Sequence, residues 1–402
     1  MPNYARSRFP RGNSKARYPR HLSGGPVGKR TGLKKQYINP VRFVKVANPT
    51  TEAEYMPTHQ FSDFPIHQTI QRNIIDKGFV TPSAIQDQAI PHGLNGQDVI
   101  GVANTGTGKT VAFAVPILDR LLRDQSARAL LVAPTRELAQ QIEAELRTLG
   151  KGSGLLGAVL IGGSAMQPQL RDLRQYPRIV IGTPGRIKDH LERGSLKLHN
   201  FNIVVLDEVD RMLDMGFIND VREILSHLNP NRQSYFFSAT LDGKVNELIR
   251  TFTSDPVTVS VKTGDTSDNV HQDIVPFVAS SEKIDKLHDI LLKADVQKSI
   301  IFDDTQRSVE RLAKELQERG FKVDAIHGGK NQSQRQRALK RFKQSEVSVL
   351  VATDVAARGI DVIDITHVIN YSVPKDYQDY THRIGRAGRA GKIGYALTFV
   401  TD

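Results

Sequence analysis

Ala103-Asn-Thr-Gly-Thr-Gly-Lys-Thr110 follows an apolar run at 98–102 and precedes a helical pattern at 111–122. Glycines at 106 and 108 let backbone N–H groups turn inward and cradle phosphates at a helix N-terminus. In that loop Thr105, Gly106, Thr107 and Gly108 form the cradle, Lys109 reaches the terminal phosphates, and the Thr110 hydroxyl suits Mg2+. Ala103 stands where the generic pattern has its first glycine. A second constellation, Ile203-Val-Val-Leu-Asp-Glu-Val-Asp210, ends a buried β-type run in carboxylates. Open α/β sheets place their ligand crevice at such strand ends. Asp207 is positioned to hold Mg2+, partly through water, and Glu208 to orient or deprotonate an attacking water. The third is His382-Arg-Ile-Gly-Arg-Ala-Gly-Arg389, three arginines at regular spacing beside glycines. Transfer of a γ-phosphoryl group needs positive charge there, worth about 10³–10⁵ in rate. These arginines lie far along the chain from Lys109, so their use in catalysis requires a nucleotide between two domains and a closure.

The elements that must hold these groups alternate. Short β-rich runs at 98–102, 129–133, 157–161, 179–182, 203–207 and 233–238 are separated by helical stretches such as 136–149. A second series lies at 275–278, 298–302, 322–326, 347–352, 367–369 and 396–400. Alternation of this kind predicts βαβ units and parallel sheets, an α/β fold. Lys262-Thr-Gly-Asp-Thr-Ser-Asp-Asn269 is polar and turn-rich and reads as a linker. The expected organisation is a tail at 1–51, a first domain at 52–261, the linker at 262–269 and a second domain at 270–402.

The 402 residues include no cysteine, which excludes disulfide scaffolds, Cys-ligated metal centres and thiol nucleophiles. No apolar run approaches membrane-spanning length, and no apolar signal core opens the chain. The net charge of +12 has one location: residues 1–51 hold 12 basic residues, and the first acidic one is Glu52. The remaining 43 basic residues equal the 43 acidic ones. Lacking periodicity and rich in Gly, Pro, Ser and Arg, this tail is expected to be disordered. Its charge and scattered aromatics suit single-stranded nucleic acid. A solubilising arm and an Arg-rich transit peptide are the other readings.

Together these motifs make the chain resemble the DEAD-box ATP-dependent RNA helicases, from about Phe61 to Val400. The adenine-reading motif is matched by Gly78-Phe-Val-Thr-Pro-Ser-Ala-Ile-Gln86, with Phe61 17 residues before Gly78. The acidic motif reads Asp-Glu-Val-Asp, with Val209 in place of the usual alanine. The resemblance implies two tandem RecA-like domains that hydrolyse ATP with Mg2+ and locally unwind short RNA duplexes or remodel RNA–protein complexes. It also implies that Gln86 reads the adenine edge and Phe61 stacks on the ring. Asp210, Ser238, Thr240 and His382 would couple hydrolysis to RNA handling. Arg386 and Arg389 would face the γ-phosphate, and Gly359 and Asp361 of Arg358-Gly-Ile-Asp361 the ribose side. Candidate grips on the RNA backbone are Pro134, Thr135, Arg136, Gly163, Thr183 and Arg186, then Gln332, Arg335 and Thr353. The implied partners are single-stranded RNA and short duplexes, held without reading sequence, by a monomer in the cytoplasm with no membrane contact. A DNA helicase and a non-catalytic RNA clamp are the alternatives. The chain stops soon after the arginine motif, where a terminal helix is expected in such domains.

Overall fold

The computed structural model describes residues 38–48, 55–104, 106–261, 268–357, 362, 364–388 and 392–401. The first domain is a parallel sheet of seven strands: β1 (Val99–Ala103), β2 (Ala129–Val132), β3 (Gly157–Leu160), β4 (Ile179–Gly182), β5 (Ile203–Asp207), β6 (Gln233–Ser238) and β7 (Val257–Val261). The second has six: β8 (Val270–Phe277), β9 (Ser299–Phe302), β10 (Val323–Ile326), β11 (Val349–Ala352), β12 (His367–Asn370) and β13 (Gly394–Thr401). Their lateral orders are β3-β4-β2-β5-β6-β1-β7 and β10-β11-β9-β12-β13-β8, every pairing parallel. Central strands such as β2, β4 and β5 are buried along their whole length, as expected where helices cover both faces. Two apolar layers sandwich each sheet, one containing Phe113 and Phe237 and its opposite Phe236 and Leu206.

Three expectations are corrected. Strand β7 had no counterpart among the expected strands, because Val-Thr-Val-Ser-Val is an edge strand only partly buried. Strand β8 begins at Val270, five residues before the apolar run that suggested it. The third concerns the expected disordered tail, since residues 38–48 are packed. Pro40–Phe43 forms a 3₁₀ turn capped by Asn39, Phe43 has no exposure, and Ile38 is buried beside it. Two apolar anchors on a one-turn scaffold give no periodicity to read, yet they remove enough surface from water to order the segment. The rest of the tail, 1–37 and 49–51, and most of the expected linker, 262–267, lie outside the described residues. Among the described residues no helix is long and apolar enough to cross a membrane.

Strand order, which the sequence does not disclose, decides which loops meet. In the first sheet β6 lies between β1 and β5, with Val102 in register with Ser238 and Asp207 with Phe237. The loop after β1, the acids after β5 and Ser238-Ala-Thr240 therefore share one sheet end. The loops after β2, β3 and β4 form the neighbouring half of that end.

Candidate active site

Gly106 and Gly108 both adopt left-handed backbone, φ +89° and +92°, and helix Lys109–Arg123 starts directly after them. At Gly108 the requirement is double, because a Cβ there would lie 2.3 Å from Gln86 Nε2. Gln86 occupies that space by a local device. Its Oε1 accepts from Ser83 N at 2.9 Å, closing a capping box, while its Nε2 donates to Gly108 O at 3.1 Å. Ser83 Oγ donates to Thr107 O at 2.7 Å, so the start of the Ala84–Leu94 helix and the glycine loop are held as one piece. Lys109 is buried, and its Nζ donates to Ala103 O at 3.1 Å. Thr110 is the second residue of the helix, and Thr105 lies outside the described residues.

Phe61 is buried in this structure. Its ring is 3% exposed, stacked on Phe79 with centroids 6.1 Å apart and edge-on to Phe64. It is a core residue in this structure, since a 3₁₀ turn at Phe61–Asp63 directs it into the layer between the first helices.

Asp207 and Glu208 are 2% and 6% exposed. Burial pushes the Asp207 carboxyl up to about 6, against the opposing pull of Lys109. Burial pushes Glu208 the same way, but the positive charges of Arg211, Lys109 and Arg386 outweigh it and hold the group down at about 2. Glu208 is held in left-handed backbone, φ +55°, and its carboxylate pairs with the Arg211 guanidinium. A non-glycine residue there stores strain of about 1–3 kcal/mol. Val209, the departure from the usual motif, has no exposure and fits among Leu206, Met212 and Phe236. Asp210 meets Ser238-Ala-Thr240 as expected. Its Oδ2 accepts from Ala239 N and Thr240 N, both at 3.0 Å, and from Thr240 Oγ1 at 3.2 Å, while Ser238 Oγ accepts from Asp210 N at 3.3 Å.

On the second domain, helix Tyr377–Ile384 carries His382 and leads into Arg386, whose Nε donates to His382 O at 3.3 Å. Arg386 is 6% exposed, and its charge is among those that reach Glu208 from across the domains. Arg383, the first arginine of the trio, is structural. Asp354 grips it at 2.5 and 2.8 Å, and its Nη1 donates to Ser372 O at 2.7 Å. Arg389, Gly359 and Asp361 lie outside the described residues.

The remaining candidates gather on the other half of the sheet end. Thr135 caps helix Arg136–Leu149, and Pro134 is buried before it. The Arg136 guanidinium lies against Gly163, where a Cβ would be 2.1 Å from it. Thr183 is the N-cap of helix Pro184–Glu192, and Arg186 Nη1 donates to Ser164 O at 3.2 Å. The second domain reaches this group. Arg335 Nη2 lies 2.9 Å from Glu137 Oε1, and Gln332 Nε2 donates to Gln140 Oε1 at 3.2 Å. Thr353, at the end of β11, donates its N–H to Ile326 O at 3.3 Å. Burial, with the nearby charges of Arg335 and Arg186, holds Arg136 below the usual arginine range against the opposing pull of Glu137. Sequence reasoning missed Arg211, Glu137, Asp354 and Arg383 as partners. Arg211 and Glu137 could have been flagged as charges one helical turn or less from a motif residue. The Asp354–Arg383 pair is 29 residues apart and had no local signal.

Two left-handed glycines before a helix and a buried acid pair at the same sheet end, on the first of two parallel-sheet domains, are the architecture of a two-domain P-loop ATPase. The family model of DEAD/DEAH box helicases matches residues 83–248, and that of the helicase conserved C-terminal domain matches 282–391. The DEAD-box ATP-dependent RNA helicase CshA of Geobacillus kaustophilus is 42% identical over 343 residues, covering 85% of this chain and 73% of the relative. CshA of Bacillus subtilis is 41% identical over 345 residues, covering 86% and 70%. Among solved structures, S. cerevisiae Dbp5 bound to RNA and ADP BeF3 matches with TM-score 0.75 at 29% identity, over 85% of this chain and 89% of that one. Mss116p bound to ssRNA and AMP-PNP matches with TM-score 0.75 at 31% identity, over 84% and 73%. The chain belongs to the DEAD-box ATP-dependent RNA helicase family. It is an ATP-hydrolysing enzyme that binds RNA and unwinds or remodels it.

Proposed function

We propose that the two domains, 52–261 and 270–402, enclose one ATP and one RNA strand, and that each supplies part of the chemistry. The observation that carries this reading is the pair of contacts that crosses from the second domain to the first, Arg335 Nη2 to Glu137 Oε1 at 2.9 Å and Gln332 Nε2 to Gln140 Oε1 at 3.2 Å, and the charge of Arg386 acts in the same direction by helping to hold Glu208 below the ordinary carboxylate range. The positive-φ glycines and the N-terminus of helix Lys109–Arg123 suit the phosphates, and Gln86 suits the adenine edge. Lys109 would leave the Ala103 carbonyl to meet the terminal phosphates.

Among the described residues no cluster of three or more His, Asp or Glu could hold a metal by itself. One carboxylate, Asp207, and one hydroxyl, Thr110, fit a hard cation that keeps waters and substrate phosphate oxygens as its other ligands. Bound there, Mg2+ would neutralise charge on the transferred phosphoryl group. Glu208, ionised and fixed by Arg211, would take the proton of the attacking water. Arg386, joined by Arg389, would meet the charge that develops as the phosphoryl group transfers.

Thr135, Arg136, Gly163, Thr183 and Arg186 with Gln332, Arg335 and Thr353 would grip the sugar–phosphate backbone of single-stranded RNA. Hydroxyls, backbone amides and guanidinium groups do so without reading bases. The Arg335–Glu137 contact across the domains ties that grip to closure, and Asp210 with Ser238, Thr240 and His382 would connect it to the nucleotide. By thermodynamic reciprocity RNA tightens ATP and ATP tightens RNA. We place the enzyme in the cytoplasm, acting as a monomer on short duplexes. The test is steady-state ATPase with RNA and with DNA of the same sequence. RNA alone should stimulate. Glu208→Gln should retain ATP and RNA binding while turnover stops, and Arg386→Ala should lower kcat by about 10³-fold or more. Full turnover in Glu208→Gln removes that residue from water activation.

A further inference from the structure

Asn39-Pro-Val-Arg-Phe43 is a compact folding unit. The Asn39 side chain accepts from Val41 N at 3.1 Å, and proline pre-sets the turn. The turn sends Phe43 inward and Arg42 along the surface. Both land on one helix of the second domain, Tyr377–Ile384. The Phe43 ring sits 4.7 Å from that of Tyr380, and the Arg42 guanidinium lies 3.9 Å over the ring of Tyr377. The next residues extend along β8, the edge strand of the second sheet. Lys45 N donates to Gln272 O at 3.0 Å, Gln272 N donates to Lys45 O at 2.8 Å, and Lys45 Nζ lies 2.5 Å from Asp268 Oδ1. Gln272 also receives Tyr380 Oη at 2.9 Å, so strand, helix and N-terminal segment meet at one buried point.

The helix so clamped leads to the arginine side of the ATPase site. Ile384 and Ala387, on either side of Arg386 in sequence, share the apolar layer that holds Phe43 and Tyr380. We propose that residues 38–48 are a positioning element for the ATPase site: Phe43 and Arg42, through Tyr380 and Tyr377, set the helix that aims Arg386 at the first domain. This rests on the assignment of Arg386 to transition-state stabilisation. It also gives the chain an unusual path. Residues 38–48 pack on the second domain, yet the segment from Tyr55 onward builds the first. There Tyr55 Oη and Thr58 N donate to Asp87 at 2.6 and 2.7 Å, next to Gln86. The two domains are thus joined covalently twice, through 49–54 and through 262–267.

The experiment compares full-length wild type, Phe43→Ala and Phe43→Leu, each also in an Arg386→Lys background. The readouts are RNA-saturated kcat, KM for ATP and ATP affinity without RNA. Misplacing Arg386 should lower kcat roughly ten- to a hundredfold. ATP affinity without RNA, set by the first domain, should stay within about twofold. Phe43→Leu, which keeps the buried volume, should recover most of the loss. In the Arg386→Lys background Phe43→Ala should cost little more, because the group it positions is already altered. Equal losses in both backgrounds, or an unchanged kcat, overturn the proposal. If Phe43→Ala does not fold, Arg42→Ala is the probe, and a kcat equal to wild type is the overturning result. An Arg386→Lys enzyme with wild-type kcat instead defeats the underlying assignment, so the two failures are distinguishable.

Discussion

Gly108 shows how much of this active site depends on single atoms. Its φ of +92° costs a residue with a Cβ about 1–2 kcal/mol, and the Cβ would also strike the Gln86 amide at 2.3 Å. Gly108→Ala is therefore expected to weaken ATP about tenfold or more, measured by titration calorimetry. Gly320, with the same φ of +92° and open space around its missing Cβ, is the control. Gly320→Ala should lower stability while leaving ATP affinity unchanged. Asp207 and Glu208 show the same dependence. They are adjacent, equally buried acids pushed in opposite directions, because Arg211 and Arg386 reach only the second strongly enough to reverse the effect of burial.

Helices and strands in this protein carry their own polar partners, and two buried histidines make those partners pH-sensitive. His190, in helix Pro184–Glu192, contacts Ser195 Oγ at 2.8 Å and Gln169 Oε1 at 3.3 Å. His367, the first residue of β12, stacks on Tyr395 with centroids 4.8 Å apart. Burial holds both below the ordinary histidine value of about 6.5. The unfolded chain then binds more protons than the native state in the acid range. The stability these groups contribute is present above about pH 6.5 and is lost as pH falls below it. The melting temperature should drop between about pH 7 and 5.5, and His190→Gln should flatten that slope. An unchanged slope would mean that His190 stays as protonatable as in the unfolded chain.

Across the chain, the net positive charge is concentrated in the N-terminus while the remaining residues balance. Residues 1–37 contain ten of the 12 basic residues that precede Glu52, while Arg42 and Lys45 are engaged with Tyr377 and Asp268. Deleting 1–37, which leaves the packed 38–48 intact, should raise the KM for RNA more than it lowers kcat. It should also reduce the salt slope of RNA binding by about 0.7 for each phosphate that these residues neutralise. An unchanged KM at moderate salt leaves these residues as a solubilising arm. The Arg335–Glu137 contact is the corresponding feature of the core, an ion pair that exists only when both domains are present.

Groups whose chemistry is local were legible along the chain. The phosphate loop, Asp207-Glu-Val-Asp210, Ser238-Ala-Thr240 and helix Arg136–Leu149 are contiguous strings. Turn geometry, capping and strand ends act over a few residues, so their residue types announce them. Folding in three dimensions was needed to show that β6 lies between β1 and β5, that Phe61 packs against Phe64 and Phe79, that Asp354 holds Arg383, and that Phe43 belongs to the second domain. Each of those depends on which distant surfaces exclude water together, and strand order and long-range pairing leave no periodic trace along the chain.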